Sequence, residues 1–366
     1  MNVGKTKAWQ ILSILKLIYQ YPGITRKELS LHLDTDRAMI THILNYLIEN
    51  EWIEKQDPYS KNLPLTLIKD RIFAAGIEIQ PEYQVRVITN LEGEIIFEEY
   101  TTHTIISIEC YLEEHVYPWI TQQKIPLCGL TVALPGIYNS AENKLLRSQP
   151  FNLRDPVIFP RLIPCTDIPL FIDNDVRCWG WGKVAFEKQF EDFLVLLFIF
   201  IEDNCSSDMY KRITNGAAFF SNGKARIGAH GCSGELPGFF RIDEYRSTSS
   251  YIPYDKRLKM KSLPQVYSKW LNQTAATASY LATVFDSQKM YISGSTNIDS
   301  DLFTEKISSF LSQYQFYPEI QNIEVLWEPF KSSATAQGAS GFVFENLFVL
   351  SLENGSANNS LLKVEK

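Results

Sequence analysis

The sequence predicts an α/β protein: an N-terminal winged helix-turn-helix followed by a larger body of two α/β lobes. Three observations predict it. Residues 1–69 carry three amphipathic helical patterns, the second short and capped, and then two short strands. From residue 70 to about 350, a meander of alternating strands followed by strand-helix units occurs twice. Charge divides at the same place: residues 1–69 hold nine Lys/Arg against seven Asp/Glu, a net of +2, and the remaining 297 hold 26 against 35, a net of −9. An acidic body with a mildly basic head suits a regulator that touches nucleic acid through its head.

The first helical pattern has Ala8, Ile11, Leu12, Leu15 and Ile18 at helical spacing and ends at Tyr21-Pro22-Gly23. Thr25 is then an N-cap with Glu28 as its capping-box partner, opening a short helix whose inner face holds Leu29 and Leu33. After a break at Asp34-Thr35 a third helix runs from about Asp36 to Asn50, with Met39, Ile40, Ile43, Leu44, Leu47 and Ile48 inward. Trp52 to Lys55 and Leu63 to Ile68 read as the strands of a wing, around a polar tip at 57–62.

In a helix-turn-helix the start of the third helix enters the major groove. Its outward residues here are Thr35, Arg37, Ala38, Thr41, His42 and Asn45. Arg pairs with guanine and Asn with adenine, and Thr and His contact bases or phosphates. Lys55, Lys61 and Asn62 of the wing are candidates for phosphate or the minor groove. Two blander readings stay open: His42 as a plain surface histidine, and the whole head as a protein-interaction module with a solvated polar face.

In the body, alternating segments at 73–80, 83–90 and 94–101 form an antiparallel meander. A helix at about 106–123, a strand at 127–133, a strand at 170–172 and a helix at 176–186 follow. The order recurs with strands at 193–201 and 217–221 and a third short segment, then a helix at 262–285 and a strand at 290–293. A helix at 300–313, a strand at 323–327 and a helix at 333–346 complete it. Lobe boundaries fall at 70–190 and 191–350, with the last helix returning to the first lobe, and the polar tail 351–366 is expected to fray. Two such halves facing across a cleft offer the usual place for a small ligand.

Composition narrows the function class. Apolar residues make up 45% and charged residues 21%, which excludes long disorder and collagen-like repeats. No two of the six cysteines lie within 12 positions, so no CxxC clamp for zinc exists, and buried reduced thiols are expected. The N-terminus lacks a signal-peptide core, and the most apolar run, Phe193 to Ile201, is too short to cross a bilayer as a helix. A cytoplasmic protein without membrane contact is expected.

Nearly the whole chain resembles the ROK family (repressor, open reading frame, kinase), in its transcriptional-regulator branch. GIEIQPEYQVRVITNLEGEII resembles the family's first phosphate segment, and LTVALPGIYNSAENKLLRSQPFNL and FIDNDVRCWGWGKVAFEK resemble its two sugar-site segments. GAAFFSNGKARIGAHGCSGELPGFF resembles the segment ending in the family's "GEiGH", and YISGSTN and SSATAQGASG its late glycine segments. The resemblance implies an actin-like ATPase fold, a duplicated ribonuclease H-like architecture. It also implies sugar-hydroxyl contacts at Asn174, Asp175 and Glu235, with Asn152 as a looser match. For Asn174-Asp175 an ordinary helix N-cap is the competing role.

Departures from the family pattern are equally informative. Where kinase members have "DxGGT", this chain has Glu78-Ile79-Gln80-Pro81-Glu82: side chains replace glycines, and Pro81 has no amide hydrogen. Where "GTGiG" is expected, residues 201–208 hold three acids and no glycine. Gly238 and Phe239 stand where the zinc-binding His belongs, and the downstream cysteine cluster is missing. No catalytic residue, cofactor or metal is therefore expected. His230 is a weak substitute for the lost sugar contacts, and Trp179, Trp181, Phe239 and Phe240 read as core or cleft wall. The sequence points to a transcriptional regulator, most simply a repressor of carbohydrate genes. It would bind double-stranded operator DNA as a dimer or tetramer and sense a sugar or sugar phosphate. The rivals are a ligand-independent DNA-binding scaffold and, further off, a sugar kinase with an added head.

Overall fold

In the computed structural model, β1 (Asn2–Gly4) leads into three helices, α1 (Lys5–Gln20), α2 (Arg26–His32) and α3 (Arg37–Glu49). β2 (Ile53–Lys55) and β3 (Leu65–Leu67) follow as an antiparallel pair, with Ile53 opposite Leu67. The structure describes residues 2–55, 64–102, 104–139, 142–203, 205, 207–235, 252, 254–294, 298–315 and 317–348, with short segments at 351–353, 356–358 and 363–365. The wing tip, with Lys61 and Asn62, lies outside the described residues, as do Phe239 and Phe240.

The head forms for the reasons its sequence suggests. Ala8, Ile11, Leu12, Leu15 and Ile18 are all buried, and Leu29 ties α2 to them. The capping box at α2 is complete: Thr25 N donates to Glu28 Oε2 at 2.8 Å, and Glu28 N donates to Thr25 Oγ1 at 3.4 Å. The Thr25 hydroxyl, donating to Glu28 Oε2 at 2.7 Å, and then the Thr25 N–H hold the Glu28 carboxyl below its ordinary range. On α3, Ile40, Ile43, Leu44 and Leu47 face inward. Met39 does not. It is 41% exposed and accepts from Gln10 Nε2 through its sulfur, because one step along a helix turns a side chain about 100° from the buried stripe.

Next come β4 (Phe73–Ile79), β5 (Tyr83–Thr89) and β6 (Ile95–Thr102), the predicted meander. The single helix expected at 106–123 is broken in two. α4 (Ile108–Tyr111) runs through a π turn at Leu112–Val116 into α5 (Tyr117–Thr121). Pro118 supplies the cause, since its missing N–H and its ring disturb the carbonyl ladder of the preceding turn. β7 (Leu127–Leu134) is followed by a small sheet the periodicity does not reveal, β8 (Ile137–Asn139), β9 (Lys144–Arg147) and β10 (Val157–Ile158). β11 (Leu170–Asn174) then feeds α6 (Asp175–Ala185), in which Trp179 and Trp181 are both buried.

The second half has β12 (Phe193–Glu202), β13 (Tyr210–Ser221), β14 (Lys224–Ala225), α7 (Tyr254–Leu258), α8 (Pro264–Val284), β15 (Lys289–Gly294), α9 (Ser300–Tyr314) and β16 (Glu324–Glu328). Its five strands lie in the order β14-β13-β12-β15-β16, and those of the first half in the order β6-β5-β4-β7-β11. Both read third-second-first-fourth-fifth, with the first three antiparallel and the rest parallel. That equivalence is the duplication. The parallel pairs β4–β7, β12–β15 and β15–β16 are joined through helical crossovers, and β7–β11 through the small sheet β8-β9-β10, which keeps the strand directions equal.

The chain divides into two compact units, residues 1–188 with 333–366, and residues 189–332. In the second unit Trp270 of α8, Phe198 of β12, Met290 of β15 and Phe303 of α9 centre one core. In the first unit α10 (Ala334–Leu347) lies against α6 so closely that a Cβ on Gly338 would stand 1.9 Å from the Cys178 carbonyl oxygen. The core of the head runs on without a break into the first lobe. Val343, Phe344, Leu347 and Phe348 join Ala8 to Leu67 of the head, and Ala74, Leu91 and Cys128 of the first lobe, in one apolar cluster. The tail, expected to fray, instead forms β17 (Ser351–Glu353) against β18 (Ser356–Asn358), and β19 (Lys363–Glu365) parallel to β1. Backbone pairing needs no apolar side chains, so a polar tail can hold it. Among the described residues no helix is long and apolar enough to cross a membrane.

Candidate DNA-binding face and effector site

α3 begins at an N-cap, Asp36, whose carboxylate accepts from Ala38 N at 3.2 Å. With the inward stripe fixed, helical geometry turns Arg37, Ala38, His42 and Asn45 outward, and all four are exposed. Thr35 and Thr41 are half-buried. Their hydroxyls donate to Leu33 O at 2.9 Å and Arg37 O at 2.8 Å, so each offers DNA an acceptor and a methyl group instead of a donor. Met39 adds an exposed apolar contact to this face, of the kind that suits a thymine methyl. Lys55 stands exposed at the end of β2.

The second cluster forms where β11 gives way to α6. Asn174 caps the helix: its Oδ1 accepts from Val176 N at 3.0 Å and Arg177 N at 3.2 Å. Its Nδ2 donates to Gly136 O at 3.1 Å. Gly136 is required there, because its φ of +143° is joined by a Cβ position only 2.3 Å from Arg147 O. The N-cap role of Asn174 is thus realised, and it takes up the acceptor and part of the donor capacity a ligand would use.

Asp175 is buried at the first turn of α6. Its Oδ1 accepts from Val176 N at 2.9 Å and its Oδ2 from Gln80 Nε2 at 3.0 Å. Gln80 is fully buried and also donates to Glu78 Oε1 at 3.3 Å, an oxygen that accepts from the Tyr83 hydroxyl at 2.9 Å. The segment that should approach a phosphate therefore carries a side-chain amide that bridges two carboxylates. Near Asp175, Asp173 accepts from Arg177 Nε at 2.7 Å and Trp181 Nε1 at 3.2 Å. Burial pushes the neighbouring Cys178 thiol well above its ordinary range, and the Asp173 charge adds to this.

Asn152 is exposed in the same unit, in a turn closed by its own N–H to Gln149 O at 3.0 Å, with φ +50°. Glu235 is exposed and belongs to the second unit. Glu78, Gln80, Tyr83, Asp173 and Arg177 are the members of this cluster that spacing alone did not single out as partners. The signal for Gln80 was its place in a glycine position. Among the described residues, no group of three or more His, Cys, Asp or Glu is arranged to hold a metal ion.

A winged head fused to duplicated actin-like halves, with a buried Asp at the strand-helix junction and a filled phosphate segment, defines a DNA-binding regulator built on a sugar-kinase scaffold. The MarR family matches residues 9–59, and the ROK family residues 74–246. Together the two matches support a transcriptional regulator of the ROK family. It is 20% identical to the xylose repressor of Caldicellulosiruptor bescii, over 92% of this chain and 95% of that one. It is also 23% identical to the xylose repressor of Bacillus subtilis, over 47% and 48%. Among solved structures it is similar to a ROK family transcriptional regulator described as a homologue of the E. coli MLC protein, with TM-score 0.71 and 17% identity, over 94% of this chain and 97% of that one. A ROK glucokinase from Streptomyces griseus, solved with glucose and AMPPNP, matches with TM-score 0.54 and 14% identity, over 75% and 99%. The kinase match omits about a quarter of this chain, and the regulator match spans nearly all of it.

Proposed function

We propose that the protein represses carbohydrate-catabolic genes in the cytoplasm, binding operator DNA as a homo-oligomer, and that an unphosphorylated sugar releases it. The observation that carries the sugar reading is the Gln80–Asp175 bond of 3.0 Å. A kinase needs that segment open to phosphate and needs its Asp ready to take a hydroxyl proton. Here Gln80 fills the space, and a cluster of buried acids would repel a phosphate group. Loss of phosphoryl transfer together with a retained hydroxyl-binding Asp leaves a sensor of neutral sugars. D-xylose is the first probe, because the relatives above are named as xylose repressors. A sugar shifts the protein toward release only by binding the released arrangement more tightly than the DNA-bound one.

Two substitutions test the two sites separately. Arg37→Ala is expected to weaken operator binding by about 1–3 kcal/mol, the worth of a bidentate guanine contact. A gel-shift titration on duplex selected from random DNA checks this, and an unchanged affinity removes Arg37 from the reading face. Asp175→Ala is expected to leave operator affinity intact while abolishing D-xylose binding measured by calorimetry. Normal sugar binding by this variant would show that the effector sits elsewhere.

A further inference from the structure

The chain passes from the first unit to the second at Lys188–Gln189 and returns at Ser332–Ser333, directly before α10. These are the two places where the backbone links the units. Lys188 is unusual at such a place. Its φ is +55°, in the left-handed region that glycine occupies at less cost, and its side chain is folded back into the first unit. Nζ donates to Ala185 O at 2.5 Å and lies 3.4 Å from the centroid of the Tyr19 ring, while the Tyr19 hydroxyl donates to the same carbonyl oxygen at 2.9 Å. Tyr19 stands in the last turn of α1, the first helix of the DNA-binding head. It also packs on Phe344 and Phe348, at 6.3 and 5.6 Å between ring centroids.

Other charges meet at the same spot. Glu345 of α10 is largely buried, with one carboxylate oxygen lacking a hydrogen-bond partner among the described residues, and its charge acts on both Lys188 and Lys16 of α1. Glu92 is the remaining charge felt by Lys188. Burial brings the Lys188 ammonium down to about 8, as expected for a cation withdrawn from water onto an aromatic face.

We infer that Lys188 is a positioning residue for allosteric coupling, its ammonium fastening the inter-unit connection to Tyr19 of the head so that movement at residues 188–189 is passed to α1. The inference rests on the proposed sugar response, and deepens it by naming the residue through which that response reaches the DNA-binding face. Lys188 belongs to neither the proposed DNA-binding face nor the proposed sugar site, so its loss should leave both affinities in place and remove only the link between them.

The test is the ratio of operator affinities without and with saturating D-xylose, measured on the full chain for wild type, Lys188→Met and Lys188→Arg. Neither substitution changes the backbone demand at φ +55°, and only Arg keeps a cation over the ring. Allosteric couplings generally lie at about 5–150-fold, and the wild-type ratio is expected in that range. For Lys188→Met it should fall to within about twofold of unity, with sugar affinity and sugar-free operator affinity unchanged, and Lys188→Arg should restore it. A merely structural lysine would lower both affinities together. A responsive wild type with an equally responsive Lys188→Met overturns the inference and leaves the sugar reading standing. A wild type indifferent to D-xylose overturns the sugar reading and the inference with it.

Discussion

Asp173→Ala is expected to destabilise the protein by about 3–5 kcal/mol, the range for breaking a buried ion pair by removing one partner. Asp173 and Arg177 are 6% and 3% exposed, one turn apart across the start of α6, with Arg177 Nη2 2.6 Å from Asp173 Oδ1. The same carboxylate accepts from Asn174 N at 2.8 Å and from the Trp181 indole. Alanine removes all of these bonds and leaves the guanidinium in a dry site without this counter-charge. Urea unfolding should show a lower midpoint at an unchanged slope. Because these bonds fix the strand-helix junction that presents Asn174 and Asp175, sugar affinity should fall as well. A loss under about 1 kcal/mol would mean that water or another group already satisfies Arg177.

Gly338→Ala is expected to cost about 3 kcal/mol, at the upper end of overpacking effects. The added methyl would meet Cys178 O at 1.9 Å and Gly182 N at 3.0 Å. Both are backbone atoms of α6, so no side-chain rotation relieves the clash and the two helices must separate. The consequence reaches beyond the first lobe, because Val343, Phe344 and Leu347 of the same helix are built into the core of the head. Amide exchange should therefore accelerate in α1 as well as in α6 and α10. Acceleration confined to α6 and α10 would show that the head holds its own stability.

What the sequence disclosed follows from the range of the forces involved. The capping box of Thr25 and Glu28, the inward stripe of α3 and the two meanders depend on residues a few positions apart, and each was legible. The outward set Arg37, Ala38, His42 and Asn45 was legible for the same reason, since helical periodicity assigns faces without knowledge of the fold. The small sheet β8-β9-β10 was not, because its strands of two to four residues are too short to show alternation. Met39 was misassigned inward because an apolar residue beside a stripe is indistinguishable from a member of it.

The effector cluster was half legible. The resemblance pointed to Asn174 and Asp175, and Gln80 was visible as a departure from glycine. That Gln80 and Asp175 bond to each other, across 95 positions, needed the parallel neighbours β4, β7 and β11 to bring their ends together. The merging of the head with α10 and the pairing of β1 with β19 are likewise contacts between distant segments, with no local signature. They matter for function, because a head with a separate core could turn freely, whereas this one is packed into the first lobe.

The most direct test is operator binding by the full-length protein as D-xylose is added, with ADP release from ATP followed in the same samples. The account predicts that affinity for the selected duplex drops as the sugar saturates, while no nucleotide is turned over. Sugar-dependent ADP release with DNA affinity unmoved would contradict it.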